Sequence, residues 1–256
     1  MNLSDLRRGS FRGVLSPAQC AEGINLVREN AQRLIEDARV LFLAGRYPSA
    51  AQQAILAIEE SGKEAILRLL AAAETREQAR ACWRDFCDHS KKNIRWAATM
   101  IADLGHGFRE MLASTQDEQL IKAIERFKQL AIYVDCLDQG TWTAPVQFVE
   151  RDAAADLIDR AQRLSSTLPP ATEREIEIAA RHTRLLDRAE AAGAPQEERQ
   201  RIYMRGQAEL CENGFPGVTG ATLELLLANA LDLKGIGRTQ RAPAAGPPLR
   251  NRGTHG

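Results

Sequence analysis

The 256-residue chain has few aromatic side chains, no excess of either charge and no long hydrophobic run. Its 34 lysines and arginines balance 34 aspartates and glutamates, so the global charge predicts neither a nucleic acid nor a membrane as a partner. RNA binding would therefore have to rest on a local basic patch. No apolar run is long enough to cross a bilayer, and the N-terminus lacks the hydrophobic segment of a signal peptide. We expect a soluble, cytoplasmic protein.

The cysteines show no pattern of a metal site or of a disulfide framework. There are five, an odd number, and they are widely spaced: Cys20, Cys82, Cys87, Cys136 and Cys211. No Cys-x-x-Cys or Cys/His cluster has the spacing of zinc ligands. We therefore expect reduced thiols and no metal or other cofactor. We interpret Cys87 as a buried, space-filling thiol, because no histidine is placed to activate it.

The composition and the local signals indicate helices. Alanine, leucine, arginine and glutamate dominate, which is typical of a helical protein. Ser16-Pro17 is a helix start, with a capping hydroxyl followed by proline at the first helical position. Apolar residues recur at helical spacing up to Gly45, which offers the left-handed conformation that ends a helix. A second helix begins near Tyr47 and runs to about Ala73, and the short loop predicts an antiparallel pair.

The rest of the chain predicts further helices and no convincing strand, so the expected fold class is all-α. These helices are expected at about 75–104, 117–137, 149–165, 172–192, 195–212 and 219–233. Gly140–Pro145 is expected to be a loop, and Leu168-Pro169-Pro170 is the best candidate for a subdomain boundary. The resulting division is an N-terminal segment (1–16), a helical bundle (17–168), a C-terminal helical extension (169–234) and a disordered basic tail (235–256).

One hexad contains the residues of this sequence that are most suited to catalysis. Arg84-Asp85-Phe86-Cys87-Asp88-His89 places a guanidinium, two carboxylates and an imidazole within two helical turns. Arginine clamps a phosphate, and histidine exchanges protons near neutral pH. On a regular helix Asp85 and His89 share a face, and Arg84 and Asp88, also four apart, can pair, whereas Arg84 and His89 diverge by roughly 140°. The set favours cleavage of a phosphodiester without a metal, although charged runs also form solvated helix faces.

Arg84 and His89 can reach one phosphate through their long side chains, through a local distortion of the helix or through a second subunit, and the third route matters most. Cleavage of RNA by its own 2′-hydroxyl needs a base for that hydroxyl and an acid for the leaving oxygen. One histidine cannot act as both the base and the acid at the same time. Two hexads that face each other in a symmetric dimer would supply both groups, and the two arginines would stabilise charge on the phosphorane. The cations just downstream, which would attract the RNA backbone, are Lys91, Lys92 and Arg95.

Three charged residues on the second predicted helix are candidates to support the hexad: Glu59, Glu60 and Lys63. Glu59 and Lys63 are four residues apart, which predicts an ion pair on the helix surface. In the alternative interpretation Glu59 or Glu60 lies near the catalytic centre, where a carboxylate tunes the pKa of a histidine. His182, in a basic stretch of a later helix, is expected on a solvated face.

An ordered set of short segments resembles a known family. The segments are Asn30–Leu34 with Asp37-Ala38, Gly45-Arg46-Tyr47 with Ala50-Ala51, Ala57–Lys63, the hexad, and Tyr133-Val134-Asp135 with Pro145. Together they resemble the AbiV family of abortive infection proteins, within the HEPN superfamily of helical bundles. The hexad matches the Arg-x4–6-His motif of that superfamily, including a polar residue directly after the arginine.

The resemblance implies a HEPN-type bundle, usually dimeric, that cleaves RNA at the dimer interface without a metal. It implies that Arg84 binds the phosphate, that His89 is the acid and base, and that Asp85 orients them. It also implies a role in phage defence, with growth arrest after a signal such as a phage-encoded trigger protein. Past Pro170 the resemblance implies nothing.

Two other functions stay open on the sequence alone. The first is a catalytically silent helical module that senses a phage protein or blocks translation by binding a ribosomal component, because many members of the superfamily have lost catalysis. The second is an antitoxin-like or scaffold bundle that makes no contact with RNA.

Overall fold

The computed structural model describes residues 11–87, 126–137, 140–165 and 169–215. This part of the chain is mostly helical, which confirms the all-α fold class. The elements are α1 (Pro17–Leu43), α2 (Tyr47–Ala72), α3 (Arg76–Cys87), β1 (Asp135–Leu137), β2 (Thr141–Thr143), a 3-10 turn (Pro145–Gln147), α4 (Arg151–Leu164), α5 (Glu173–Ala191) and α6 (Gln196–Glu212). Residues 126–132 form a further helical segment.

Several sequence expectations lie outside the described residues. They are the third helix beyond residue 87, the fourth helix before residue 126, the helix at 219–233 and the basic tail at 235–256. Where helices are described, none is both long and apolar enough to cross a membrane.

Local capping signals set the ends of α1 as the sequence predicts. The Ser16 hydroxyl accepts a hydrogen bond from the backbone N–H of Gln19 (3.2 Å), and the Gln19 side chain accepts one from the Ser16 N–H (2.9 Å). At the other end Gly45 has a φ of +71°, and the N–H of Arg46 donates to the carbonyl of Leu41 (2.9 Å). This pattern is a Schellman motif, which needs a left-handed residue and so favours glycine.

The antiparallel pair of α1 and α2 is the centre of the fold, with a hydrophobic cluster at each end. One cluster joins the second half of α1, the first half of α2 and α4 around Ile35, Ile55, Ile58, Val149 and Leu157. The other joins the first half of α1, the second half of α2, α3 and α5 around Ile24, Leu67, Leu70, Ala79 and Ile176. The pairing of opposite halves confirms the predicted antiparallel arrangement.

A short β-ladder contradicts the expectation that the chain has no strand. The fourth helix was expected to reach residue 137, but it ends at residue 132, and β1 pairs antiparallel with β2 in the register Asp135↔Thr143 and Leu137↔Thr141. The segment expected to be a loop therefore contains β2. Thr141-Trp142-Thr143 consists of β-branched and aromatic residues that fit a pleated strand. Gly140, with a φ of +78°, adopts the left-handed conformation just before it.

Helix α5 belongs to the same core as α1, α2 and α3. Its buried face shares their cluster, and the segment before it is held by Asn25, whose side chain exchanges two hydrogen bonds with the backbone of Ala171 (2.8 and 3.0 Å). Arg184 donates to the carbonyl oxygens of Ala71 and Ala72 at the end of α2 (3.0 and 3.2 Å). The subdomain boundary near residue 168 stays a prediction, but α5 is anchored directly on the first two helices.

His182 is buried, so the expectation of a solvated position is wrong. Its Nε2 lies 2.8 Å from a carboxylate oxygen of Glu209 on α6, and Arg181 pairs with the same carboxylate. The hydrogen bonds from His182 and Arg181 lower the pKa of Glu209 below its ordinary value. The burial arises because Gly206 on α6 lets the two helices approach: a Cβ there would lie 2.8 Å from Cγ of His182.

This close approach predicts that Gly206→Ala lowers the free energy of unfolding. The added methyl group overpacks against the root of the His182 ring, which costs about 1–3 kcal/mol and outweighs the gain in helix propensity. The control is Gly23→Ala on α1, where the added Cβ meets only the flexible end of Leu67 at 3.3 Å. Urea denaturation should show Gly23→Ala at or above the parent stability and Gly206→Ala below it. Equal stabilities would contradict the constraint at Gly206.

Candidate functional site

Helix α3 carries the described part of the hexad. Thr75 and Gln78 form a capping box at its start, since the Gln78 N–H donates to the Thr75 hydroxyl (3.2 Å) and the Thr75 N–H donates to the Gln78 side chain (2.9 Å). Of the predicted site residues downstream of Thr75, Arg84 and Asp85 lie on this helix. The others, His89, Lys91, Lys92 and Arg95, lie outside the described residues, as does Asp88.

The inner face of α3 holds the helix against the bundle. Ala79 is fully buried, and Cys82, Trp83 and Phe86 pack against the cluster formed by α1, α2 and α5. The rings of Trp83 and Phe86 meet edge to face with centroids 5.4 Å apart. Because these residues recur at spacings of three and four, they form one stripe of the helix. The hexad therefore begins on a helix whose orientation is fixed by packing.

Arg84 and Asp85 differ in exposure and surroundings. Arg84 is exposed and forms no ion pair with any described residue, whereas Asp85 is half-buried.

Burial, with the negative charge of Asp85 as a second cause, raises the pKa of the Cys82 thiol to about 11. Burial likewise raises the pKa of Cys20 to about 11. Both thiols are protonated at neutral pH, so neither is a nucleophile.

A groove of about 450 Å³ opens on the outer face of α3; we call it the α3 groove. It is lined by Arg12, Arg80, Trp83, Arg84 and Cys87. Cys87 is exposed, which contradicts its interpretation as a buried thiol. The reason is its place on the helix: Cys87 lies four residues after Trp83 and one after Phe86, at the outer edge of the buried stripe.

The N-terminal segment forms one wall of the α3 groove. The indole N–H of Trp83 donates to the carbonyl oxygen of Gly13 (2.8 Å), and Phe11 meets the indole edge to face at 6.5 Å. This contact brings the guanidinium of Arg12 to 5.6 Å from the centroid of the Trp83 ring. Arg12 and Arg80 were not among the residues predicted for the site. The sequence alone places four of the lining residues on one helix face: Arg80, Trp83, Arg84 and Cys87. The position of Arg12 could not be predicted in this way, because it depends on a contact across 70 residues.

The three second-helix candidates separate into two environments. Lys63 pairs with Glu60 (2.6 Å) rather than with Glu59, so the expected surface pair is wrong. Lys63 also lies 5.2 Å from the centroid of the Phe86 ring, which places it beside the hexad. Glu59 is buried and pairs with Lys128 of the helical segment 126–132 (2.7 Å). The surface pair fails because Glu59 faces the interior, where a buried carboxylate needs a cationic partner.

The described helices form an all-α bundle, and the sequence that begins at Arg84 on α3 is an Arg-x4-His hexad. A family model for HEPN-domain AbiV proteins matches residues 19–166, which is more than half of the chain. The chain belongs to the AbiV family, as the resemblance of its segments suggested. No curated protein and no solved structure matches it.

Proposed function

We propose that this protein is a metal-independent endoribonuclease of antiphage defence that acts as a dimer in the cytoplasm. The observation that carries the proposal is Arg84: an exposed guanidinium without an ion-pair partner among the described residues, at the start of an Arg-x4-His hexad, on a packed helix. The planar guanidinium of arginine presents a fork of N–H donors that matches the oxygens of a phosphate. Membership of the AbiV family supports a role in abortive infection.

The proposed reaction is attack of the RNA 2′-oxygen on the adjacent phosphorus. His89 of one subunit removes the proton of the 2′-hydroxyl, the P–O5′ bond breaks, and His89 of the other subunit protonates the leaving oxygen. The products are a 2′,3′-cyclic phosphate and a 5′-hydroxyl. Arg84 binds the non-bridging oxygens as their charge grows, and Asp85 orients the imidazole through their shared helix face.

The other predicted residues receive supporting roles in this proposal. Lys91, Lys92 and Arg95 attract the RNA backbone, and a phage-encoded protein triggers the activity. Lys63, which pairs with Glu60, lies beside Phe86 and supports the helix that carries Arg84. Glu59 pairs with Lys128 in the interior and has a structural role.

Cleavage of cellular RNA in the presence of chelator tests the proposal. We expect the parent protein, with a phage lysate as a source of trigger, to release fragments with 2′,3′-cyclic phosphate ends, and His89→Ala to release none. The control is Arg201→Ala, an exposed arginine on α6. If the parent and His89→Ala are equally inert with the trigger present, the protein is instead a catalytically silent binding module.

Mixing subunits tests the dimeric site in the same assay. If each reaction needs a histidine from both subunits, a heterodimer of parent and His89→Ala subunits is inactive. After subunit exchange with an equal amount of His89→Ala protein, the parent should lose about half of its activity, because half of its subunits then sit in heterodimers. Undiminished activity, or a monomer in light scattering, would contradict a site completed by a second subunit.

A further inference from the structure

The α3 groove gathers positive charge that the rest of the described structure does not neutralise. Arg12, Arg80 and Arg84 line it, all three are exposed, and none forms an ion pair with a described residue. Elsewhere the arginines of this chain commonly pair with carboxylates, as Arg33 does with Asp37 and Arg188 with Glu74. Three guanidinium groups that share one concave surface repel each other unless an anion lies between them. The α3 groove is therefore suited to an anionic ligand.

The shape of the α3 groove indicates an extended ligand rather than a single ion. Arg80 and Arg84 are four residues apart on α3, so their backbones are about 6 Å apart along the helix axis. That distance is comparable to one backbone repeat of a nucleic acid strand. Arg12 approaches from the N-terminal segment, across the ring of Trp83. A volume of about 450 Å³ is larger than one phosphate needs and falls in the range of sites for nucleotide-sized ligands.

We propose that the α3 groove binds single-stranded RNA next to the scissile phosphate, with Arg12 and Arg80 holding backbone phosphates beside the one that Arg84 binds. The inference rests on the proposed function, because Arg84 belongs to both sites. Arg12 and Arg80 are positioning residues: they hold the strand and take no part in proton transfer. A local basic groove also explains how a chain with balanced charge binds RNA at all.

Trp83 favours single-stranded RNA over a duplex. Aromatic side chains beside arginines are the usual platform for unpaired bases, whereas the bases of a duplex are stacked inside the helix and cannot reach such a surface. Trp83 has a second part in the groove, since its hydrogen bond to Gly13 holds the segment that carries Arg12. Loss of that hydrogen bond should therefore remove the contribution of Arg12 as well.

Binding of RNA by the inactive His89→Ala protein tests the groove independently of catalysis. We would measure the fluorescence anisotropy of a labelled single-stranded oligoribonucleotide while adding protein with a further Arg12→Ala or Arg80→Ala change. Each change should weaken binding about 5-fold at 0.1 M salt and reduce the slope of log affinity against log salt by about 0.7, as expected for one lost phosphate contact. Arg201→Ala, the matched control on α6, should change neither quantity.

A second variant tests the role of the N-terminal segment. Trp83→Phe keeps an aromatic ring but removes the indole N–H that binds Gly13. In this background Arg12→Ala should cause little further loss of affinity, because Arg12 is already displaced, whereas Arg80→Ala should still weaken binding about 5-fold. Full additivity of Trp83→Phe and Arg12→Ala would overturn the proposed coupling.

The outcomes separate this inference from the proposed function. If the otherwise unchanged enzyme cleaves RNA and Arg12→Ala and Arg80→Ala raise KM without lowering kcat, both stand. If it cleaves RNA and neither change affects KM or the salt slope, the proposed RNA site in the α3 groove is wrong and the proposed ribonuclease activity stands. If the protein never cleaves RNA but binds it in a way that depends on Arg12 and Arg80, the proposed role of the α3 groove stands and the proposed ribonuclease activity is wrong. Equal binding of a duplex of the same length, or no RNA binding, overturns the groove.

Discussion

Glu175→Ala is expected to lower the free energy of unfolding by about 3–5 kcal/mol, because it removes one of the two carboxylates that pair with the buried guanidinium of Arg68. Glu175 begins the buried face of α5, and its carboxylate lies 2.6 Å from Arg68 of α2; the two side chains are only 2% and 3% exposed. Removal of one member of such a pair leaves a charge that water cannot reach, so the loss greatly exceeds that of a surface ion pair.

The pair belongs to a buried network that joins three helices. Arg28 of α1 makes two hydrogen bonds with Glu64 of α2 (2.8 and 2.9 Å), and Arg68 binds the same carboxylate (3.1 Å) and also Glu175. Arg28 donates in addition to the carbonyl oxygen of Pro169, in the segment before α5 (2.7 Å). Among the described residues the network contains two cations, Arg28 and Arg68, and two anions, Glu64 and Glu175. Loss of Glu175 removes a negative charge from this network where α5 meets the α1–α2 pair.

Urea denaturation followed by circular dichroism measures the effect. The matched control is Glu177→Ala, which removes an exposed carboxylate from the same helix and should cost less than 1 kcal/mol. The double variant Arg68→Met, Glu175→Leu should recover most of the stability, because it removes both charges and leaves Arg28 paired with Glu64. A loss for Glu175→Ala no greater than for Glu177→Ala would contradict the network as a determinant of stability.

Features of this fold that depend on a few neighbouring residues were predictable from the sequence. The start of α1 follows from the capping hydroxyl of Ser16 and the proline after it, and its end follows from one glycine, Gly45. The antiparallel α1–α2 pair follows from the short turn between them. Arg84 was chosen as a candidate from residue type, spacing and the family resemblance; the structure places it on an exposed helix face, and its role stays a prediction.

Features that depend on distant residues were not predictable. Glu64 and Arg68 are four apart and resemble an ordinary surface pair, but they are buried because Glu175 and α5 cover them. The β-ladder was missed because strands of three residues are too short for a periodic pattern, and their pairing is set across the turn. Only part of the α3 groove was predictable from the sequence. Arg80 and Trp83 share the helix face of Arg84, but Arg12 reaches that face only because Trp83 donates a hydrogen bond to Gly13.

Arg84→Ala is expected to have the opposite profile to Glu175→Ala: a large loss of activity with unchanged stability. Loss of one preorganised donor to a charge that develops in the transition state lowers kcat by about 10²–10³-fold. Because Arg84 is exposed and has no ion-pair partner among the described residues, its removal should change the free energy of unfolding by less than about 0.5 kcal/mol. Single-turnover cleavage with chelator present and urea denaturation of the same preparations measure the two quantities.

Arg84→Lys distinguishes recognition of the phosphate from simple attraction of charge. Lysine keeps the positive charge but not the planar fork that binds two oxygens at once, so it should restore affinity for RNA while kcat stays well below that of the parent. A groove cation such as Arg80 should behave differently, since Arg80→Lys keeps the electrostatic contact and should restore KM. If Arg84→Lys recovered full kcat, Arg84 would act only as one more cation of the α3 groove, and the group that stabilises the transition state would have to lie elsewhere. The two lysine variants therefore separate the residue that acts on the reacting phosphate from the residues that hold the strand beside it.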